Sequence, residues 1–295
     1  MEPIKNRYEF VMLFDVENGN PNGDPDAGNM PRTDPETSLG IVTDVCLKRK
    51  IRNYVQLVPA EENAEKQNNI LVLPDRALNS KFTDAYRALG LAEKQKVKNP
   101  NDVKAARDYM CRNYYDVRTF GAVMSTGEDP CGIVRGPVQL TFGKSVDPIF
   151  PQEITITRQA ITTETKHGDG NQTEMGKKSI VPYGLYRAEG FINANLAQTT
   201  GFDDNDLKLL WKAIVNMFEY DRSAARGKMS LRKLIVFKHA SILGNAPASR
   251  LFDLVKVEKN TEVPRQYADY TVTVDESGKP EGIEILDGFE EAYKE

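Results

Sequence analysis

The nine residues Tyr8-Glu-Phe-Val-Met-Leu-Phe-Asp-Val16 most limit what this chain can fold into. Phe10, Met12, Phe14 and Val16 share one face of an extended backbone, and Val11 and Leu13 share the other. A strand apolar on both faces belongs inside a sheet that is covered on both sides. It runs straight into residues 18–32, NGNPNGDPDAGNMPR. That stretch is too dense in Asn, Gly, Pro and Asp to continue a ladder, so a long ordered loop is predicted there.

Thr43 or Asp44 caps a helix that runs to about Leu57, with Leu47, Ile51, Tyr54, Val55 and Val58 on one face. Lys48, Arg49 and Arg52 fall together on an adjoining face, and Lys50 projects elsewhere. Residues 59–105 are polar and read as an inserted, peripheral helical region. A second core helix is predicted over 103–115 and a strand over 137–142. Residues 153–198 read as a long projecting hairpin with a cationic tip, KHGDGNQTEMGKK, at 166–178, its chain returning into the sheet at 191–196. Asp203 or Asp204 caps the clearest helix, where Leu207, Leu210, Trp211, Ile214, Val215 and Phe218 keep one apolar face. A closing strand follows over 231–239. The order β-α-…-β-…-β-α-β predicts an α+β, ferredoxin-like sandwich with large insertions.

The net charge of −4 hides an uneven distribution. Residues 251–295 carry 12 acidic and 5 basic side chains, a net of −7, and the rest of the chain is at +3. Local patches rather than the total decide whether nucleic acid can bind. Cys46, Cys111 and Cys131 are scattered and odd in number, which predicts free thiols in a reducing cytoplasm and no zinc module. No apolar run approaches the roughly 18 residues of a membrane span. His167 and His239 are the only histidines, and no nucleophile elbow, HExxH or carboxylate pair stands out. The expectation is a cytoplasmic, non-enzymatic protein with no cofactor and no metal.

The loop alternates Asn18, Asn20, Asn22, Asp24 and Asp26, as oxygen ligands for a hard cation would. No glutamate closes it at EF-hand spacing. It reads either as a plain turn cluster or as backbone that approaches a ligand closely, with Asn amides donating to phosphate or ribose. Lys48, Arg49 and Arg52, on a helix that starts beside that loop, are candidate phosphate contacts, against the plainer reading of a solvated face. At the hairpin tip Lys166, Lys177 and Lys178 with Met175 form either a surface loop or a wedge between bases. Arg226 and Lys228 are weaker candidates, because their segment has neither P-loop nor RNP1 order. Asp15 reads as a structural hydrogen-bonding carboxylate.

With these residues in view, FDVENGNPNGDPDAGNMPR followed by VTDVCLKRKIRNYV resembles the backbone subunit of subtype I-C Cascade, the Csd-type "Cas seven" group of the RAMP superfamily. DVRTFGAVMS and RGPVQLTFGKSVDPI are similar to further segments of that family. The resemblance extends from about Tyr8 to about Val257. It implies an RRM-like palm over 1–257, interrupted by a helical finger insertion at 59–105 and a thumb hairpin at 153–198, with an acidic C-terminal tail at 258–295. It implies copies arranged head-to-tail on a CRISPR RNA with other Cascade subunits, each thumb displacing a base, and target DNA paired through the guide. Asn18, Asn20 and Asn22 with Lys48, Arg49 and Arg52 match the family's guide-backbone contacts, and the tip at Met175, Lys177 and Lys178 matches the thumb. Arg32, Arg118 and Arg226 match less closely. Type III relatives cleave RNA with an acid in the early loop. A metal-dependent endoribonuclease using Asp24, Asp26 or Asp15 is therefore the rival expectation.

Overall fold

The computed structural model describes residues 2–59, 65–91, 99–160 and 174–294. The first half of the chain forms strands β1 (Tyr8–Gly19), β2 (Gly23–Asp24), β3 (Met30–Pro31) and β4 (Leu39–Val42), then helices α1 (Asp44–Leu57), α2 (Leu78–Ala88), α3 (Pro100–Asn113) and α4 (Tyr115–Phe120). Next come β5 (Gly121–Met124), β6 (Gly132–Arg135), β7 (Val138–Leu140), β8 (Gly143–Pro148), β9 (Gln152–Arg158) and β10 (Glu174–Ile192). Helices α5 (Ala194–Thr200) and α6 (Asp204–Tyr220) lead to β11 (Lys228–His239), α7 (Ala248–Phe252), β12 (Val255–Lys259), β13 (Tyr270–Val274), β14 (Ile283–Asp287) and α8 (Gly288–Tyr293).

A central antiparallel sheet runs in the order β14-β11-β1-β10-β8-β4, with β7 and β9 also paired to β10. β1 lies between β10 and β11, as its two apolar faces require. Phe10, Met12, Phe14 and Val16 pack under α1, α5, α6 and α8. Phe10 meets Trp211 edge-on at 5.2 Å, and Phe14 stacks on Tyr186 at 5.4 Å. Val11 and Leu13 face a second core beneath α7 and the β12–β13 hairpin. Each such buried side chain contributes about 1.5–3 kcal/mol, so the two layers fix β1 from both sides. Helix starts follow the capping signals. The Thr43 hydroxyl accepts from the Cys46 amide at 3.3 Å, and Asp203 forms a reciprocal capping box with Asp206.

Four sequence expectations change. The helix predicted over 103–115 is α3, and its Ala106, Met110 and Cys111 pack with α2 and the β5–β6 hairpin into a third core rather than onto the sheet. The peripheral lobe therefore extends well beyond residue 105. The hairpin's second arm continues through Ile192 as a single strand of 19 residues, and the expected return at 191–196 turns into α5. Pro182 sits where the partner on one edge of β10 changes from β9, paired to Ile180, to β8, paired from Tyr186. A residue without an N–H fits that gap in the ladder. The acidic segment 258–295, expected as a tail with two short strand-like runs, does hold two strands but is integrated into the body of the fold. β14 adds to the sheet beside β11, and Ala292 of α8 is fully buried.

Candidate nucleic-acid interface

Register decides which predicted residues meet. Gly19 at the end of β1 pairs with Val181 of β10, and Glu17 pairs with Lys228 at the start of β11. The loop 18–32, the 221–228 segment and the root of the β9–β10 hairpin therefore share one end of the central sheet. Beyond Val181 the hairpin projects past that end. Met175, six residues out, stands about 20 Å from the rim at strand rise.

The loop is built tightly against its neighbours. Asn18 is exposed at φ +50°, a conformation that asparagine tolerates well. The Asn20 amide donates to Ala225 O at 2.8 Å, and its Nδ2 donates to Asn29 O at 2.7 Å. Asn20 Oδ1 is buried with no partner among the described residues. Asn22 Oδ1 accepts from both the amide and the hydroxyl of Thr43, at 2.9 and 3.0 Å, which locks the loop to the first turn of α1. A Cβ on Gly19 would lie 1.9 Å from Arg226 O, and one on Gly227, at φ +64°, 2.5 Å from Asn18 O. Only glycine allows these two backbones to cross.

The cations around the loop are held by carboxylates, of which Asp15 and Asp24 stand out in the sequence and Asp221 and Glu17 do not. Asp221 pairs with Lys50 and, at 3.2 Å, with Arg226 Nε, whose Nη1 donates to Pro21 O. Burial lowers the Lys50 pKa, partly opposed by Asp221. Arg32 lies 3.4 Å from Asp24. Lys228 pairs with Glu17 at 3.1 Å and keeps 61% of its side chain exposed. Asp15 is buried, salt-bridged to Arg232 and accepting from the Tyr183 hydroxyl at 3.0 Å. Burial raises its pKa despite both partners. On the hairpin Met175 is 76% exposed, and Lys177 stays exposed while pairing with Glu153. Lys178 is half-buried. Lys166 and the rest of 166–173 lie outside the described residues.

The basic face of α1 turns inward, contrary to expectation. Arg52 is buried, 2.8 Å from Asp116, and stands over the Phe120 ring. Lys48 pairs with Asp44 at 2.9 Å over the same ring, and Arg49 donates to Val72 O at 3.4 Å. Arg118 is also a structural cation. It is 1% exposed, forks onto Asp206 at 2.7 and 2.9 Å, and donates to Asn68 Oδ1 and Cys111 O. No sequence signal marks these pairings, because the partners lie 64 and 88 residues away. Among the described residues no three His, Cys, Asp or Glu side chains converge as metal ligands. Asp24 Oδ1 instead accepts from the Asp26 amide. No helix among the described residues is long and apolar enough to cross a membrane.

This geometry stands beside clear likenesses to known proteins. The family model for CRISPR-associated protein Cas7 matches residues 6–275. The CRISPR-associated protein Cas7 of Haloferax volcanii is 26% identical over 296 residues, spanning 92% of this chain and 81% of that protein. A solved "CRISPR RNA-guided surveillance complex, pre-nicking" contains a chain with TM-score 0.48 and 14% identity, over 78% of this chain and 75% of that one. Another "CRISPR RNA-guided surveillance complex" contains one with TM-score 0.43 and 16% identity, over 77% and 68%.

Proposed function

The chain belongs to the family of CRISPR-associated protein Cas7, and we propose that it is a backbone subunit that coats a CRISPR RNA in a subtype I-C Cascade. The single observation that carries this reading is the common end of the sheet shared by the loop 18–32, Arg226–Lys228 and the projecting hairpin. A strand can run along that rim, with the glycine-rich backbone close to sugar and phosphate and Met175 reaching over it. The order β11-β1-β10-β8, with α1 and α6 on one face, supports the ferredoxin-like palm, and the β9–β10 hairpin serves as the thumb. Asn18, Lys228, Lys177 and Lys178 contact the guide directly, while Asn20, Asn22, Arg32 and Arg226 shape the loop. Lys48 and Arg49 are half-buried contributors. Arg52 and Arg118 act as positioning residues. Further copies and other Cascade subunits complete the particle, and target DNA is recognised by pairing to the guide.

Two outcomes test this. Replacing Lys177, Lys178 and Lys228 by Ala removes about three phosphate contacts. The log–log salt slope for single-stranded RNA should then flatten by roughly 2, with circular dichroism unchanged. An unchanged slope takes these lysines off the RNA path. The subunit is also expected to protect RNA in magnesium rather than cut it. Saturable cleavage that vanishes in Asp24→Ala or Asp26→Ala would establish the nuclease instead.

A further inference from the structure

A cleft of about 720 Å³ opens between the C-terminal end of α1, the start of α6 and the peripheral lobe. Lys208 and Lys212 line it, four residues apart on α6 and both half-buried. Neither has an ion-pair or hydrogen-bond partner among the described residues, unlike Lys66 beside them, which pairs with Asp203. Two like charges one helical turn apart repel, and partial burial strips water from each ammonium. Of the carboxylates that line the cleft, Asp203 pairs with Lys66 and Asp206 with Arg118, so neither answers this lysine pair among the described residues. On the rim Tyr54 and Tyr220 meet edge-to-face at 5.5 Å, with Tyr220 64% exposed and Leu57 59% exposed.

We infer that this cleft is a second nucleic-acid site, which binds a short stretch of single strand, with phosphates on Lys208 and Lys212 and a base on the Tyr220 ring about 12 Å beyond Lys212 along α6. An anion relieves the repulsion between the lysines, and an open ring face on a rim suits a flat base better than an acidic peptide, whose side chains need a socket. The site is separate from the loop 18–32. The 14 residues of α1 span the two, a distance of about 20 Å. It goes beyond the guide-coating role and does not depend on it.

The full chain, purified with whatever RNA it retains, is titrated with fluorescein-labelled oligo(dT) and, in a parallel arm, oligo(U). Lys208→Gln with Lys212→Gln should weaken binding by about tenfold in low salt. Tyr220→Ala should weaken it by a smaller factor. The retained RNA, read as the 260/280 nm ratio, should not change. The double variant should melt no lower than wild type, because the repelling pair is gone. Weaker binding of oligo(dT) alone assigns the site to DNA, and of oligo(U) alone to RNA. Unchanged binding in both arms overturns the inference. So does a parallel fall in retained RNA, which would make the lysines part of the guide tract. A loss of oligomer with oligonucleotide binding intact would mark a protein interface and also overturn it. Wild-type protein that purifies without RNA but still binds oligonucleotide through these lysines would sink the guide-coating reading and leave this site standing.

Discussion

Arg118→Ala is expected to destabilise the chain by about 3–5 kcal/mol, the usual loss when one partner of a buried ion pair is removed. Arg118 is 1% exposed and uses its whole guanidinium inside the protein. Its fork on Asp206 holds the start of α6, its bonds to Cys111 O and Asn68 hold the peripheral lobe, and it stands 5.6 Å over the Tyr115 ring. Tyr115 in turn donates to Asp206 O at 3.1 Å. Removing the guanidinium leaves Asp206 with Lys66 at 3.5 Å and its own cap, and takes the Arg118 donor from Cys111 O. Arg118→Lys should recover only a small part, because an ammonium cannot fork onto a carboxylate and reach two carbonyls as well. Urea midpoints of the three proteins decide the matter. Wild-type stability in Arg118→Ala together with lost RNA binding would restore Arg118 as a direct RNA contact.

Gly19→Ala should have the second-largest effect, on RNA retention more than on stability. The added Cβ would fall 1.9 Å from Arg226 O, and a backbone atom cannot swing aside as a side-chain tip can. Overpacking of this kind costs about 1–3 kcal/mol. The relief available is to push the 225–228 segment away from the loop. That breaks the Asn20 amide bond to Ala225 O and shifts Arg226 and Lys228 from the rim. The variant should remain folded by circular dichroism but purify with most of its RNA lost. Gly28→Asn is the control. Gly28 also has a positive φ, +61°, but nothing lies within 4 Å of its Cβ position, and asparagine accepts that conformation. Equal RNA loss in both variants, or in neither, would separate the crossing from the interface.

By itself, the sequence determined the elements whose cause is local. The two-faced pattern of residues 8–16, the capping pairs Thr43-Asp44 and Asp203-Asp204, and the apolar stripe of α6 are local signals, and all three recur in the structure, which uses the first residue of each capping pair. The Asn/Gly loop motif likewise pointed to the family that the match over residues 6–275 shows. What only the tertiary structure decided is where charge goes. A helical wheel puts Lys48, Arg49 and Arg52 on one face, but not which neighbour covers that face. Asp116 of the peripheral lobe takes Arg52 as an internal strut, as Asp206 takes Arg118, while the Val72 carbonyl accepts only one donor of the half-buried Arg49. The acidic C-terminal segment shows two short strand-like runs in its sequence, but only the packed structure places one of them, β14, in the central sheet beside β11. Periodicity is a property of a few consecutive residues. A salt bridge is a property of two distant ones, and only the packed chain brings them within reach.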